Sequence, residues 1–453
     1  MVIILKNISI WKDNGNFQKY SKLDKNLNVD VLIIGGGMTG ISTLYHLSQS
    51  KLKIALVEQN RIGHSVTGNS TGKLNYLQND LINKIRYNFN DNIAAKYIKA
   101  QRDSISLLIN TINKENINCD LEKVSASIYT NISNEVNKLK NLEEFLNQIG
   151  ISTFYENSNF VKSKYVFSVN DTYLINPLKF LYGLLKNKEY LIYENTSIIK
   201  IKKKENFYLC YTENVKIRAK KIIIASHYPY FNFPYLFPIK GYLEKSYLSA
   251  SKYKENKISL ISYSNPFISI RNYKNYLIYL SNTHSVNQDV NDAKNFNVLK
   301  KKLKDLKLKP DYLWSNIDIM TNDGLPYIGK INDNLFIGTG YNTWGLTNGF
   351  LAGKILSDLI LNQKNEYVEL FNPKRVNIKQ FTGAVGDGIK SLSGYVNGYV
   401  NKYNSHTGNK ICPHMKCNLV FNKIENTWDC PCHGSRFDKN GKCISAPANR
   451  DLK

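Results

Sequence analysis

Asp30-Val31-Leu32-Ile33-Ile34-Gly35-Gly36-Gly37-Met38-Thr39-Gly40 is an apolar run that breaks into glycines, and residues 41–50 after it have helical character. The run reads as a buried parallel strand. The break is Gly-x-Gly-x-x-Gly set between strand and helix. Gly35 permits the tight turn, Gly37 lets the backbone approach a pyrophosphate, and Gly40 lets helix and strand pack closely. A second strand, Lys53-Ile54-Ala55-Leu56-Val57, ends at Glu58, 18 residues after Gly40. An acid at that spacing accepts hydrogen bonds from ribose hydroxyls. Glycines, paired strands and terminal acid together predict an α/β dinucleotide site.

A second pattern lies near the far end of the sequence. Cys412-Pro413-His414-Met415-Lys416-Cys417 and Cys430-Pro431-Cys432-His433-Gly434-Ser435 each offer one Cys and one His, with a further Cys beside them. In a two-iron cluster thiolates suit one iron and neutral imidazoles the other, so two such halves fit an asymmetric [2Fe–2S] centre. The same four residues could hold one zinc tetrahedrally, or the site could have decayed and bind nothing. Five of the seven Cys fall at or after Cys412. That distribution predicts a local metal site rather than a disulfide framework for the whole chain.

The remaining composition is globular, with 42% hydrophobic and 12% aromatic residues over 453 positions. That length accommodates one large core and a small appended module. No apolar run approaches the roughly 18 residues that span a bilayer, and the first residues lack a signal-peptide core, so the expectation is a cytoplasmic protein without a membrane span. The formal charge is +25. It is scattered, and the Lys clusters at 202–204 and 300–302 lack aromatic interleaving, so no specific nucleic-acid partner is expected.

Residues 30–375 resemble the D-amino-acid oxidase-like superfamily of FAD-dependent oxidoreductases. The resemblance rests on the glycine motif with Glu58, on Asp171-Thr172-Tyr173-Leu174-Ile175-Asn176-Pro177, which resembles the family's entry to a helix with Asn176 as N-cap and Pro177 in the first turn, and on Asp323-Gly324-Leu325-Pro326 followed by residues 338–349. It implies non-covalent FAD and places the Ser70, Thr71 and Lys73 segment beside the flavin ring. It also implies that the turn at 338–349, with Gly340, Gly345, Leu346 and Thr347, leads into a helix expected at 350–361 whose N-terminal side is aimed at the flavin. Residues 229–317 would form an antiparallel substrate domain. There Arg271 is the candidate clamp for a substrate carboxylate, with Tyr242, Tyr247 and His284 as further possibilities.

The C-terminal boxes resemble those of Rieske proteins. On that resemblance Cys412 and Cys430 bind one iron and His414 and His433 the other. Cys417 and Cys432 occupy the positions of a loop-tying disulfide, Ser435 that of a hydrogen bond to the cluster, and Phe437 stands where some relatives have Tyr. Only 36 residues, Val376 to Ile411, precede the first box, so the supporting base sheet is expected to be shortened or missing.

The expected organisation is a polar, irregular arm at 1–29, a Rossmann-like FAD domain with its antiparallel substrate sheet at 30–375, a linker at 376–403 and a small all-β Rieske module at 404–453. The expected function is oxidation of a small amine or amino-acid-like substrate by hydride transfer to flavin. Electrons would then pass through the cluster to or from an unidentified partner. Two other readings stay open: a plain flavoprotein oxidase with a zinc-bound or degenerate tail, and a basic flavin-bearing protein that contacts nucleic acid or a protein partner.

Overall fold

The structure, a computed structural model, describes residues 5–13, 15–156, 160–228, 240–254, 257–264, 267–286, 291–375 and 410–452. A short helix α1 (Ile10–Asp13) precedes strand β1 (Leu27–Ile34), helix α2 (Met38–Leu47) and strand β2 (Ile54–Val57). Next come β3 (Lys73–Leu74), α3 (Leu81–Asn88), α4 (Asp91–Lys114), β4 (Glu122–Thr130), α5 (Val136–Gln148), β5 (Thr153–Phe154) and β6 (Tyr165–Leu174). These are followed by α6 (Pro177–Leu185), β7 (Leu191–Tyr193), β8 (Lys200–Lys203), β9 (Tyr208–Tyr211) and β10 (Lys216–Ile224). A meander follows: β11 (Gly241–Lys252), β12 (Ser259–Ser262), β13 (Ser269–Tyr273), β14 (Tyr276–Ser285), α7 (Asp292–Asp305) and β15 (Pro310–Thr321). The chain then forms β16 (Tyr327–Asn332), β17 (Leu335–Thr339) and α8 (Gly345–Ile360), and last β18 (Val420–Asn422), β19 (Thr427–Asp429), β20 (Arg436–Asp438) and β21 (Cys443–Ser445).

Three sheets result among the described residues. The first has eight strands, with β16-β17-β10-β1-β2-β7 in order and β9 and β8 continuing from β10. Its centre, β17-β10-β1-β2-β7, is parallel. Successive side chains on a strand point to opposite faces. Accordingly Val31 and Ile33 of β1 enter the core beneath α2 and α8, while Leu32 and Ile34 enter a second core on the other face. This is why the strand reads as an unbroken apolar run. The second sheet has nine strands, ordered β15-β11-β14-β13-β12-β4-β6-β3 with β5 on β6. The third is the four-stranded meander β18-β19-β20-β21.

Several expectations are met. Asn176 caps α6, its side chain accepting from the N–H groups of Leu178 and Lys179, with Pro177 in the first turn. Such a cap satisfies donors that the helix cannot. Residues 93–108 and 133–146, whose apolar spacing has helical periodicity with few breakers, fall in α4 and in α5 with the turn before it. Two expectations are corrected. The helix expected to start at Phe350 starts at Gly345. The N-terminal arm is not irregular throughout: Trp11 is fully buried, its Nε1 donating to Ser70 O at 2.7 Å, and Lys12 Nζ donates to Asn69 Oδ1 at 2.6 Å. The expected linker at 376–403 lies outside the described residues.

The C-terminal sheet is docked against both larger sheets. Lys245 on β11 pairs with Asp429, Glu425 accepts from Ser315 on β15, and Gln59 after β2 donates to Cys443 O.

Candidate functional site

One large cleft runs over the C-terminal ends of the parallel strands, where open α/β sheets place their ligands. It encloses about 1700 Å3, its solvent-open mouth included. Gly35, Gly36 and Gly37 line it on one side, with Val57 and Glu58 from the end of β2. Gly35 has φ +113°, and a Cβ there would lie 2.5 Å from Ala225 O. A Cβ on Gly40 would lie 1.9 Å from Gly35 O. Gly40 therefore does not line the cleft; it lets α2 start directly against β1.

Two helices begin at this cleft whose N-cap residues make no side-chain cap bond, although Thr67 Oγ1 accepts from Met38 N at the start of α2. The N-cap of α2 is Gly37 and that of α8 is Trp344. Gly37 and Met38 line the cleft from α2, and Gly345 and Leu346 from α8. Helix N-termini present N–H groups and partial positive charge, the complement of a pyrophosphate or an electron-rich ring edge. The turn before α8 is held by Asn342, a residue the sequence reading passed over. Its Oδ1 accepts from Thr321 N at 2.7 Å and its Nδ2 donates to Gly324 O at 2.9 Å. Asn342 and the cleft-lining Thr343 both have positive φ, 49° and 69°. A β-branched residue there is strained, and this turn sits where strain is commonly stored.

Not every expected residue faces the cleft. Ser70, Thr71 and Lys73 do. Lys73 Nζ donates to Leu260 O at 2.9 Å, and burial, with Arg271 nearby, holds its pKa well below the usual lysine value. Thr347 sits behind the cleft: its Oγ1 donates to Gln101 and its carbonyl accepts from Ser104, fastening α8 to α4. Gly340, with φ +75°, shapes the turn. Glu58 Oε2 accepts from Gly36 N at 2.7 Å and Oε1 from Asn60 N at 2.8 Å. Burial raises the Glu58 pKa, and each of its oxygens keeps further acceptor capacity.

Arg271 is a correction. It does not line the cleft. Its Nη1 donates to the carbonyls of Thr71, Gly72 and Ile175 and its Nε to Asn272 O, between the rings of Trp11 and Tyr273. A guanidinium held by carbonyls fixes the 71–72 loop and does not clamp a substrate. Tyr247 and His284 are also committed elsewhere, Tyr247 to Asp292 and His284 to Ser285 O. Among the acids of the substrate sheet, Asp318 on β15 lines the cleft. Burial and its cross-strand neighbour Glu244 raise its pKa to about 7.

The second centre lies in the C-terminal module. Cys417 and Cys432 form a disulfide. Cys412 and Cys430 are free, buried and hydrogen-bonded to each other, which draws the Cys412 thiol down to about 7 and pushes the Cys430 thiol up. Ser435 also hydrogen-bonds Cys412. The rings of His414 and His433 stand edge to face with centroids 5.1 Å apart. His414 Nδ1 is buried without a hydrogen-bond partner, and burial depresses the pKa of both imidazoles, His433 to about 4. Two thiols beside two neutral imidazoles are the donor set of a two-iron cluster. The sulfurs of Cys417, Cys430 and Cys432 also lie within 4.8 Å of one another. Two of those are joined in the disulfide and offer no thiolate, so the Cys412, His414, Cys430, His433 set is the better candidate.

Tyr228 ties the two centres together. It follows β10, lines the cleft, and its ring lies 6.4 Å from that of His414 and 6.5 Å from that of His433.

A Rossmann-type cleft with two helix starts facing it, joined to a two-Cys, two-His module, defines a flavoprotein with an iron–sulfur centre. The chain belongs to the FAD dependent oxidoreductase family, whose profile matches residues 30–359, and the Rieske [2Fe-2S] domain profile matches residues 399–453. The first domain binds FAD and the second a [2Fe–2S] cluster. Along almost its full length the chain is 27% identical to a Bacillus subtilis (strain 168) protein provisionally named as the Rieske 2Fe-2S iron-sulfur protein YhfW, covering 98% of this chain and 96% of that one. Among solved structures, glycine oxidase from Geobacillus kaustophilus superposes with a TM-score of 0.64 at 16% identity, over 77% of this chain and 99% of that one. L-proline dehydrogenase from P. horikoshii gives 0.63 at 14% identity, over 77% and 98%. Among the described residues no helix is long and apolar enough to cross a membrane.

Proposed function

We propose that this oxidoreductase oxidises a small amine or amino-acid-like donor in the cleft and exchanges the electrons with a protein or small-molecule partner through the C-terminal cluster. The observation that carries the reading is Tyr228, one residue in contact with both the cleft and the two candidate iron-ligating imidazoles. Bound in these sites, FAD would supply two-electron hydride chemistry and the cluster one-electron transfer. The residues that would hold FAD are Gly35 to Met38, Glu58, Ser70, Thr71, Gly345 and Leu346. Those that would hold the cluster are Cys412, His414, Cys430 and His433. The functional units would be 30–375 and 404–453, joined by 376–403.

The displacement of Arg271 from the cleft narrows the substrate class. With Asp318 facing the cleft and Arg271 spent on carbonyls, the lining favours a cationic amine over recognition of a carboxylate. The relatives named for glycine and L-proline keep amino acids in view, and Lys73 is the basic side chain beside the flavin segment.

The test is anaerobic mixing with amines and amino acids, following flavin bleaching and cluster absorbance together. Iron and zinc are assayed on the same sample. The reading expects about two irons per chain, flavin bleaching by a cationic substrate, and cluster reduction that follows it. Bleached flavin beside a cluster that stays oxidised, or zinc in place of iron, would overturn the relay.

A further inference from the structure

We infer that the C-terminal module supplies a wall of the FAD site: Ser445–Asn449 close the nucleoside end of the cleft, so FAD is held by both modules. The inference rests on the reading of the cleft as the FAD site. Glu58 marks the nucleoside end, because an acid closing the second strand of this motif faces the ribose. Beside it, residues 196–198 after β7 line the cleft, and across from them residues 444–449 line the same cleft.

The two edges are joined by direct bonds. Ser197 Oγ donates to Asn449 O at 2.8 Å, and Asn449 Nδ2 donates to Ile198 O at 3.2 Å. One step back, Gln59 Nε2 donates to Cys443 O at 3.2 Å. The wall is itself built on the cluster module: Ala448 N donates to Ser435 Oγ, and Ser435 hydrogen-bonds Cys412. The side chains at 445–448 are Ser, Ala, Pro and Ala, small enough to admit a flat ring against backbone. A wall present only when the module is folded links the two sites, so whatever orders one favours the other by the same factor.

The experiment uses the full chain with its cluster intact. FAD and FMN affinities of the flavin-depleted protein are measured by fluorescence quenching for wild type, Ser197→Ala and Ser197→Ala/Asn449→Ala. The cluster's EPR signal is the check on the module's fold. Two hydrogen bonds of ordinary strength predict about a tenfold loss of FAD affinity in the double variant, with FMN, which lacks the nucleoside, unchanged. Ser197→Ala lies outside the module and is expected to show part of the loss even where the double variant disturbs the cluster. Unchanged FAD affinity, or equal losses for FAD and FMN, would overturn the wall. A wild-type protein that binds neither flavin would instead bring down the assignment of the cleft itself.

Discussion

Lys245 Nζ on β11 lies 2.8 Å from Asp429 Oδ2 at the end of β19, and 2.8 Å from Asp292 Oδ1 at the start of α7. Asp429 also pairs with Arg436, which pairs in turn with Glu425 at 2.8 Å. All five side chains are nearly or wholly buried. A buried network of this kind adds little net stability over an apolar contact, but it is costly to break because the remaining charges stay buried. Lys245→Met is therefore expected to lower stability by about 3–5 kcal/mol. Urea denaturation, with loss of the cluster's EPR signal as a second probe, checks this. A loss under 1 kcal/mol would mean that water reaches the network.

Asp318 gives a pH dependence with a defined sign. Its folded pKa is raised to about 7 by burial and by Glu244, above the roughly 3.9 of an unfolded chain. The folded state therefore binds more protons in that window, and this group's contribution to stability falls as pH rises from about 4 to 7 and is flat outside it. Asp318→Asn is expected to be neutral near pH 4 and stabilising at pH 8. Chemical denaturation at both values decides the matter. Equal effects at both would show that the carboxyl titrates normally.

The disulfide between Cys417 and Cys432 spans 15 residues and ties the two ligand boxes together. Closing a loop of that length is worth about 3 kcal/mol on the chain-entropy account. The Cys417→Ala/Cys432→Ala variant should bind FAD through the Rossmann face yet lose its iron faster to a chelator. Iron retention equal to wild type would assign cluster support to the β18–β21 meander alone.

Trp11 is the largest side chain of the arm and is fully buried. Trp11→Ala should cost about 3–5 kcal/mol. It should also weaken flavin binding, because the Nε1 bond to Ser70 O positions a cleft-lining loop. Thermal denaturation with and without added FAD separates the two effects. A stability loss with unchanged flavin affinity would leave the arm a purely structural brace.

Much of the site was legible locally. The strand at 30–34, Gly35 to Gly40, Glu58 and the two Cys/His boxes each carry their pattern in a short window, and the structure brings Gly35 to Gly37 and Glu58 to the cleft and the two boxes into one module. The missed features depend on distant contacts. Nothing near Arg271 in sequence shows that its donors will meet the carbonyls of Thr71, Gly72 and Ile175. Nothing near Tyr228 shows two imidazoles roughly 190 residues later in the chain. Trp11 was read as part of a polar arm because one aromatic in a polar stretch has no periodicity to betray its burial. Asn342 could have been noticed: Gly-Tyr-Asn before a helix is a place where Asn adopts positive φ and bonds the backbone around it.

The bond between Ser197 and Asn449 also sets an order of assembly, because its two partners lie about 250 residues apart in the chain. Gly35 emerges early, whereas the edge of the cleft at 445–449 emerges some 410 residues later. A nascent chain that has already wound its parallel sheet still has an open nucleoside end. On the inference that 445–449 wall the nucleoside end, tight retention of FAD waits on folding of the C-terminal module, and cells short of iron–sulfur assembly would accumulate this flavoprotein with its cofactor loosely held.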